Sequence, residues 1–254
     1  MAVEDTMILD HEKWIATYSI AYGRIDPAKQ QNIDRLLSAI EADAAVTDIR
    51  WAAYMLATVK HECADRWQPL EEYGKGAGRP YGDPVTVVSA DGQSHMNTYY
   101  GRGYVQITWK DNYARLGKAI GVNDQLMIFP ERALDPSIAY RIMSEGMRRG
   151  LFTGRKLGDY INDHRCDYRL ARQIINGLDQ ADRIAAYSNV LEEILRQSIG
   201  AVHGVAAAAM TTATIPTTTT PTTTTAPTTT TAPTTTTAPT TTMATSTTTV
   251  GDAL

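Results

Sequence analysis

The sequence predicts a mostly helical α+β domain followed by a low-complexity tail. Three observations carry this. Capped amphipathic segments recur along most of the first 200 residues. A single Gly/Pro-rich interval, residues 68–108, interrupts them with strand-like alternation. The last fifth of the chain repeats Pro-Thr-Thr-Thr-Thr, with Pro at 216, 221, 227, 233 and 239.

Taken in order, Asp10 caps a helix reaching about Tyr22, stopped by Gly23. Asp26 then places Pro27 at the first helical position, and Ile33, Leu36, Leu37 and Ile40 follow at helical spacing. Thr47 or Asp48 opens a third helix whose apolar face is Ile49, Ala52, Ala53, Leu56 and Val59, with Glu62 near its C-terminal end. In the interval that follows, residues 85–89, a turn at 90–93 and residues 99–108 read as a hairpin or three-stranded sheet. Helical patterns resume at 109–120, after Asp135-Pro136, at 168–175 and over 179–197.

The domain is expected over residues 1–205 and the tail over 206–254. The tail's Thr/Pro composition offers too little apolar surface to offset ordering entropy, which predicts an extended, disordered spacer or O-glycosylated stalk. The net charge is −4 over 254 residues, so a strongly electrostatic nucleic-acid binder is not expected. Glu4 and Asp5 occupy the place where a secretory leader carries positive charge, and the apolar stretch 199–210 is too short and Ala/Gly-rich to span a bilayer. Neither export by a leader nor membrane insertion is expected. Cys63 and Cys166 permit at most one disulfide and read as free, buried thiols.

His61-Glu62 opens like a zinc-protease helix, but the second imidazole one turn later is missing, because position 65 is Asp. No metal or cofactor is expected. What remains is a carboxylate at a helix end, with Glu71 and Glu72 nine and ten residues later. Two carboxyls across a cleft, one in a drier setting, are equipment for glycosidic cleavage. Taken alone this spacing is weak evidence, since helix ends often carry Glu and a Glu-Glu pair on a loop is usually solvated surface.

The segment Tyr99-Tyr100-Gly101-Arg102-Gly103-Tyr104-Val105-Gln106-Ile107-Thr108-Trp109-Lys110-Asp111-Asn112-Tyr113 adds more. Arg102, Gln106 and Thr108 fall on the strand parity opposite Val105 and Ile107, which predicts one polar face beside Glu62. At these residues the chain resembles family 19 glycoside hydrolases, the chitinase-like group of the lysozyme superfamily, and especially their phage and prophage lysozyme or endolysin branch. His61-Glu62, the Tyr100-Gly101-Arg102-Gly103 signature with Gln106, Thr108, Asn112 and Tyr113, and Ile174-Ile175-Asn176-Gly177 with Asp182-Arg183 and Tyr187 carry the resemblance in order, over about residues 50–195.

The resemblance implies a lysozyme-like fold of two helical lobes around a cleft, and hydrolysis of β-1,4 bonds between N-acetylated amino sugars with inversion. Peptidoglycan is preferred, with chitin as the alternative, and a catalytically inactive glycan-binding or virion protein as a third reading. It implies Glu62 as general acid, Glu72 or Glu71 as general base, and Thr108 as holder of the attacking water. Tyr100, Gln106, Asn112 and Asn176 would bind sugar, while Arg102 would either do so or organise the acidic residues. Trp67, Tyr73 and Trp109 are candidates for stacking on sugar faces. Cys63 stands where the family usually has Ser or Thr, and Ala64-Asp65 replaces a commoner small or Gly pair. A monomer acting on a polysaccharide is implied, held in the cytoplasm until released to the wall, or carried on a virion.

Overall fold

The computed structural model describes residues 7–200; the Thr/Pro repeats, the expected boundary at 205 and the acidic N-terminal residues Glu4 and Asp5 lie outside them. Fifteen elements are ordered α1 (His11–Tyr22), α2 (Pro27–Glu41), α3 (Ile49–Glu62), β1 (Leu70–Glu71), β2 (Val85–Val88), β3 (Ser94–Asn97), β4 (Arg102–Gly103), α4 (Lys110–Ala119), α5 (Gln125–Ile128), α6 (Pro136–Arg149), α7 (Leu157–Tyr160), β5 (Ile161–Asn162), β6 (Arg165–Cys166), α8 (Tyr168–Ala171) and α9 (Ala181–Ser198). Short 3₁₀ turns cover Pro80–Gly82, Pro130–Leu134 and Arg172–Ile174. The mostly helical α+β class read from the sequence is the one observed. Among the described residues, no helix is long and apolar enough to cross a membrane.

The caps act as their residue types dictate. The carboxylates of Asp10, Asp26, Asp48 and Asp135 accept from main-chain N–H groups of the first turns of α1, α2, α3 and α6, which would otherwise lack partners. Helix α3 is the axis of the core: every residue from Ala52 to Val59 is buried. It packs along α9, and its polar groups reach outward to fix neighbours. Trp51 Nε1 donates to the Ile161 carbonyl at 2.9 Å and Tyr54 Oη to that of Ala171 at 2.8 Å.

The strand reading needs two corrections. Residues 99–108 do not form one strand. Instead Arg102–Gly103 pairs antiparallel with Leu70–Glu71, in register Leu70 to Gly103 and Glu71 to Arg102. The chain then turns so tightly that Arg102 and Ile107 exchange main-chain hydrogen bonds. Gly103 and Gln106 take positive φ (91° and 52°) to make this turn, and simple alternation cannot anticipate that. The hairpin β2–β3 is separate, with Val85 opposite Asn97 and Val88 opposite Ser94. A third two-stranded sheet, the hairpin β5–β6, and the short helices α5 and α7 carry too few residues for a periodic signal. Both cysteines are free, but only Cys63 is buried; Cys166, on β6, is exposed.

Candidate active site

Helix α3 ends at Glu62, and the structure places a cation beside it. Arg172, only 3% exposed, puts Nη1 2.7 Å from Glu62 Oε1, and its Nε donates to the Asp179 carbonyl at 3.0 Å. The Arg172 carbonyl accepts the Asn176 N–H at 3.0 Å, so Asn176 lies in the turn that carries the partner of Glu62. The Asn176 side chain accepts from Gly177 N–H at 2.8 Å.

The other carboxylates sit where β1 meets β4. Adjacent strand residues point to opposite faces, and Glu71 and Glu72 accordingly have different partners. Glu72 Oε1 accepts from Tyr81 Oη and Oε2 from Gly101 N–H, each at 2.9 Å, while its own N–H donates to the Gly101 carbonyl at 2.7 Å. A Cβ on Gly101 would lie 2.9 Å from Gln106 Oε1 and 3.4 Å from Glu72 Oε2. Glycine at 101 therefore leaves the space in which Glu72 and Gln106 share one face. Gln106 Nε2 donates to the carbonyls of Leu70 and Gly103, both at 3.0 Å, which ties that side chain to both strands.

Glu71 faces Arg102. Its Oε1 accepts from Tyr100 Oη at 2.7 Å, Lys75 Nζ stands 3.2 Å from Oε2, and Arg102 Nε stands 3.8 Å from Oε1. The Tyr100 hydroxyl, aided by the Lys75 ammonium against a small cost of burial, holds the Glu71 carboxyl below the ordinary range. Arg102 is buried, with its guanidinium 3.6 Å from the centre of the Tyr100 ring. Its Nη1 donates to Thr98 O at 3.0 Å and to Tyr113 Oη at 3.1 Å.

Thr108 is buried and its carbonyl accepts from Asn112 Nδ2 at 2.9 Å, while Asn112 Oδ1 accepts from Arg115 at 2.7 Å. Cys63 joins the two groups of residues. Immediately after Glu62, its Sγ lies 3.9 Å from the Gly103 carbonyl and 3.7 Å from that of Tyr104, which holds the end of α3 against β4. Burial pushes its thiol pKa up, so it acts as a weak donor and not as a thiolate.

Of the aromatic candidates, Trp67 cannot meet a sugar, because it is fully buried edge-on to Trp14 and Tyr18. Tyr73 is fully exposed, and Trp109 is 44% exposed with its ring edge-on to Tyr81 at 5.6 Å. Sequence reasoning passed over Arg172 and Tyr81, the side chains touching Glu62 and Glu72. An arginine among the apolar residues Leu170, Ala171, Ile174 and Ile175 was the signal available for the first; Tyr81 had none beyond its place in the Gly-rich interval. A groove of about 1030 Å³ between α2 and α6, lined by residues such as Arg35, Tyr140 and Arg148, contains none of these candidates.

No protein-family model matches the chain. A 72-residue stretch is 48% identical to an acidic endochitinase of Solanum chilense, covering 28% of this chain and 27% of that protein, so the match spans about a quarter of the relative's length. Among solved structures, chitinase C from Streptomyces griseus is 21% identical over 74% of this chain and 78% of its own, with a TM-score of 0.47. A bacterial family 19 chitinase is 19% identical over 74% and 96%, with a TM-score of 0.43. The chitinase-like resemblance read from the sequence thus has a homologue in the curated plant enzyme.

Proposed function

We propose that the chain is a glycoside hydrolase that cleaves β-1,4 bonds between N-acetylated amino sugars, with inversion. The observation that carries this reading is the pair of separately oriented carboxylates, Glu62 on Arg172 and Glu72 on Gly101 and Tyr81, joined through the Cys63 contact to β4. An inverting hydrolase needs one carboxyl to protonate the leaving oxygen and another to take a proton from water on the opposite sugar face.

Glu62 is assigned as the acid and Glu72 as the base. Two donors fix the Glu72 carboxylate on the face it shares with Gln106, and one of them, Tyr81, packs edge-on to partly exposed Trp109, whereas Glu71 is committed to Tyr100, Lys75 and Arg102. Thr108 positions the water, Tyr100 and Arg102 set the acidic cluster, and Gln106, Asn112 and Asn176 border the sugar. Trp109 and Tyr73 offer the exposed rings for stacking.

Peptidoglycan is the proposed polymer, attacked by a monomer whose residues 206–254 form a low-complexity extension. Chitin is the second reading, favoured by the endochitinase match. Clearing of purified bacterial walls and of colloidal chitin, with mass spectrometry of fragments and NMR of the first-formed anomer, separates them. An α-anomer from one polymer identifies the substrate and the inverting route. Binding without cleavage of either establishes an inactive glycan-binding protein.

A further inference from the structure

The segment between the two proposed catalytic carboxylates is built on unfavourable backbone. Ala64, Asp65 and Trp67 have φ of 47°, 61° and 60°, a region that residues with a Cβ adopt reluctantly. Main-chain bonds from Ala64 N–H to His61 O (3.2 Å) and from Asp65 N–H to Lys60 O (2.9 Å) close the turn. These bonds alone would hold a glycine equally well, so the placement of Asp65 calls for another cause.

That cause is a set of donors drawn from three helices. Asp65 Oδ1 accepts from Tyr18 Oη of α1 and Lys60 Nζ of α3, each at 2.7 Å, and from Trp67 Nε1 at 3.0 Å. Oδ2 is ion-paired with Lys29 of α2. Lys60 is 6% exposed, and its ammonium lies 3.9 Å from the Tyr22 ring and 5.3 Å from that of Tyr187 on α9. Burial opposes the charge on Asp65, but Lys29, Lys60 and Tyr18 outweigh it and hold its carboxyl at about 2. A buried ammonium needs this carboxylate, and the carboxylate fixes the turn.

We infer that Asp65 is a positioning residue for the proposed acid/base pair: by pinning the turn after Glu62 to α1, α2 and α3, it sets where Glu62 stands relative to Glu72. The inference rests on the reading of those two carboxylates as the catalytic pair. Asp65 touches neither of them, so its effect passes through the backbone of residues 63–70.

Two variants test it. Asp65→Gly keeps a backbone that accepts positive φ and deletes the anchor, while Asp65→Asn keeps shape and φ tolerance and weakens it. With rates expressed per folded molecule, Asp65→Gly is expected to lower kcat by about 10- to 100-fold, the scale of sub-ångström to ångström misplacement, with KM within about twofold. Asp65→Asn should fall between it and wild type, and serves alone if the glycine variant does not fold. In ¹H–¹⁵N NMR spectra the amides of Glu71, Glu72 and Gly101 should shift along with those near position 65. Wild-type kcat per folded molecule, whatever the loss of thermal stability, or amide changes confined to residues 60–67, overturns the inference. If the wild type hydrolyses neither polymer, the catalytic reading fails separately, and the NMR comparison still decides whether Asp65 positions this region.

Discussion

Glu62 and Glu72 are held by unlike partners, one a buried guanidinium and the other a hydroxyl and a main-chain N–H, so their amide variants test different things. Glu62→Gln keeps an acceptor for Arg172 Nη1 and should leave near-UV circular dichroism unchanged, while hydrolysis falls by about 10²- to 10⁴-fold. Initial rates on the cleaved polymer check this, and retention of more than about a tenth of wild-type activity would remove Glu62 from the role of acid. Glu72→Gln should lose nearly all turnover. Glu71→Gln should remain within a few-fold, because its partners Tyr100 and Lys75 hold it on the other face of β1. The reverse order exchanges their roles. The Tyr100 hydroxyl also makes a prediction in solution: carboxyl ¹³C titration should find Glu71 below the usual value of about 4.3, and Tyr100→Phe should raise it. With its folded value depressed, Glu71 contributes stability above that unfolded value, and the contribution is lost as pH falls through the depressed one.

At the scale of elements, what the sequence disclosed was local. Asp10, Asp26, Asp48 and Asp135 announce helix starts because a cap and its N–H partner lie within three residues of each other. Glu62 was found for the same reason, as the end of a periodic run. Arg172 was missed because its partner is 110 residues away, and the fold-back at Gln106 was missed because parity assumes that the chain continues straight. The 74–82 loop shows the same limit. Five residues separate Gly76 from Gly82 in sequence, yet a Cβ on Gly82 would stand 2.0 Å from the Gly76 carbonyl oxygen. Backbone cannot yield there as a side chain can, so Gly82→Ala should cost about 1–3 kcal/mol and displace the neighbouring Tyr81 from Glu72, lowering both melting temperature and activity. Gly158, inside α7, has open space at its Cβ and no positive φ, so Gly158→Ala should instead stabilise by about 0.4–1 kcal/mol. Denaturant midpoints of the two variants check the contrast, and equal losses would mean that the close approach of residues 76 and 82 is not what requires glycine.

At the scale of the molecule, α9, the last helix among the described residues, does two jobs that a truncation series separates. Helix α9 lines α3 and α1 through Ile184, Leu191, Ile194 and Leu195, all buried. Its last residues also secure the other end of the described chain: Ser198 O accepts the Asp10 N–H at 2.7 Å, Gly200 N–H donates to Ile8 O at 2.9 Å, and Leu9 and Ile199 form an antiparallel bridge. Asp10 is also the cap of α1, and α1 supplies Tyr18 to the Asp65 cluster. Stability should therefore be lost once truncation passes Gly200, and not before. A chain ending at 205 removes only a segment of Thr/Pro-rich composition, with Asp252 its one charged side chain, that offers little to a core, so its melting temperature and its rate on soluble oligosaccharide should equal those of the full chain. A chain ending at Leu195 deletes the Arg196–Glu192 pair and the bridge to Leu9 and Asp10. It should melt earlier and, with α1 less firmly capped, show the weakened kcat expected of the Asp65 variants. Differential scanning calorimetry and initial rates on both truncations measure this. A fall in melting temperature for the chain ending at 205 would mean that residues beyond it contribute to the fold, and an unchanged chain ending at 195 would mean that the terminal bridge carries no stability.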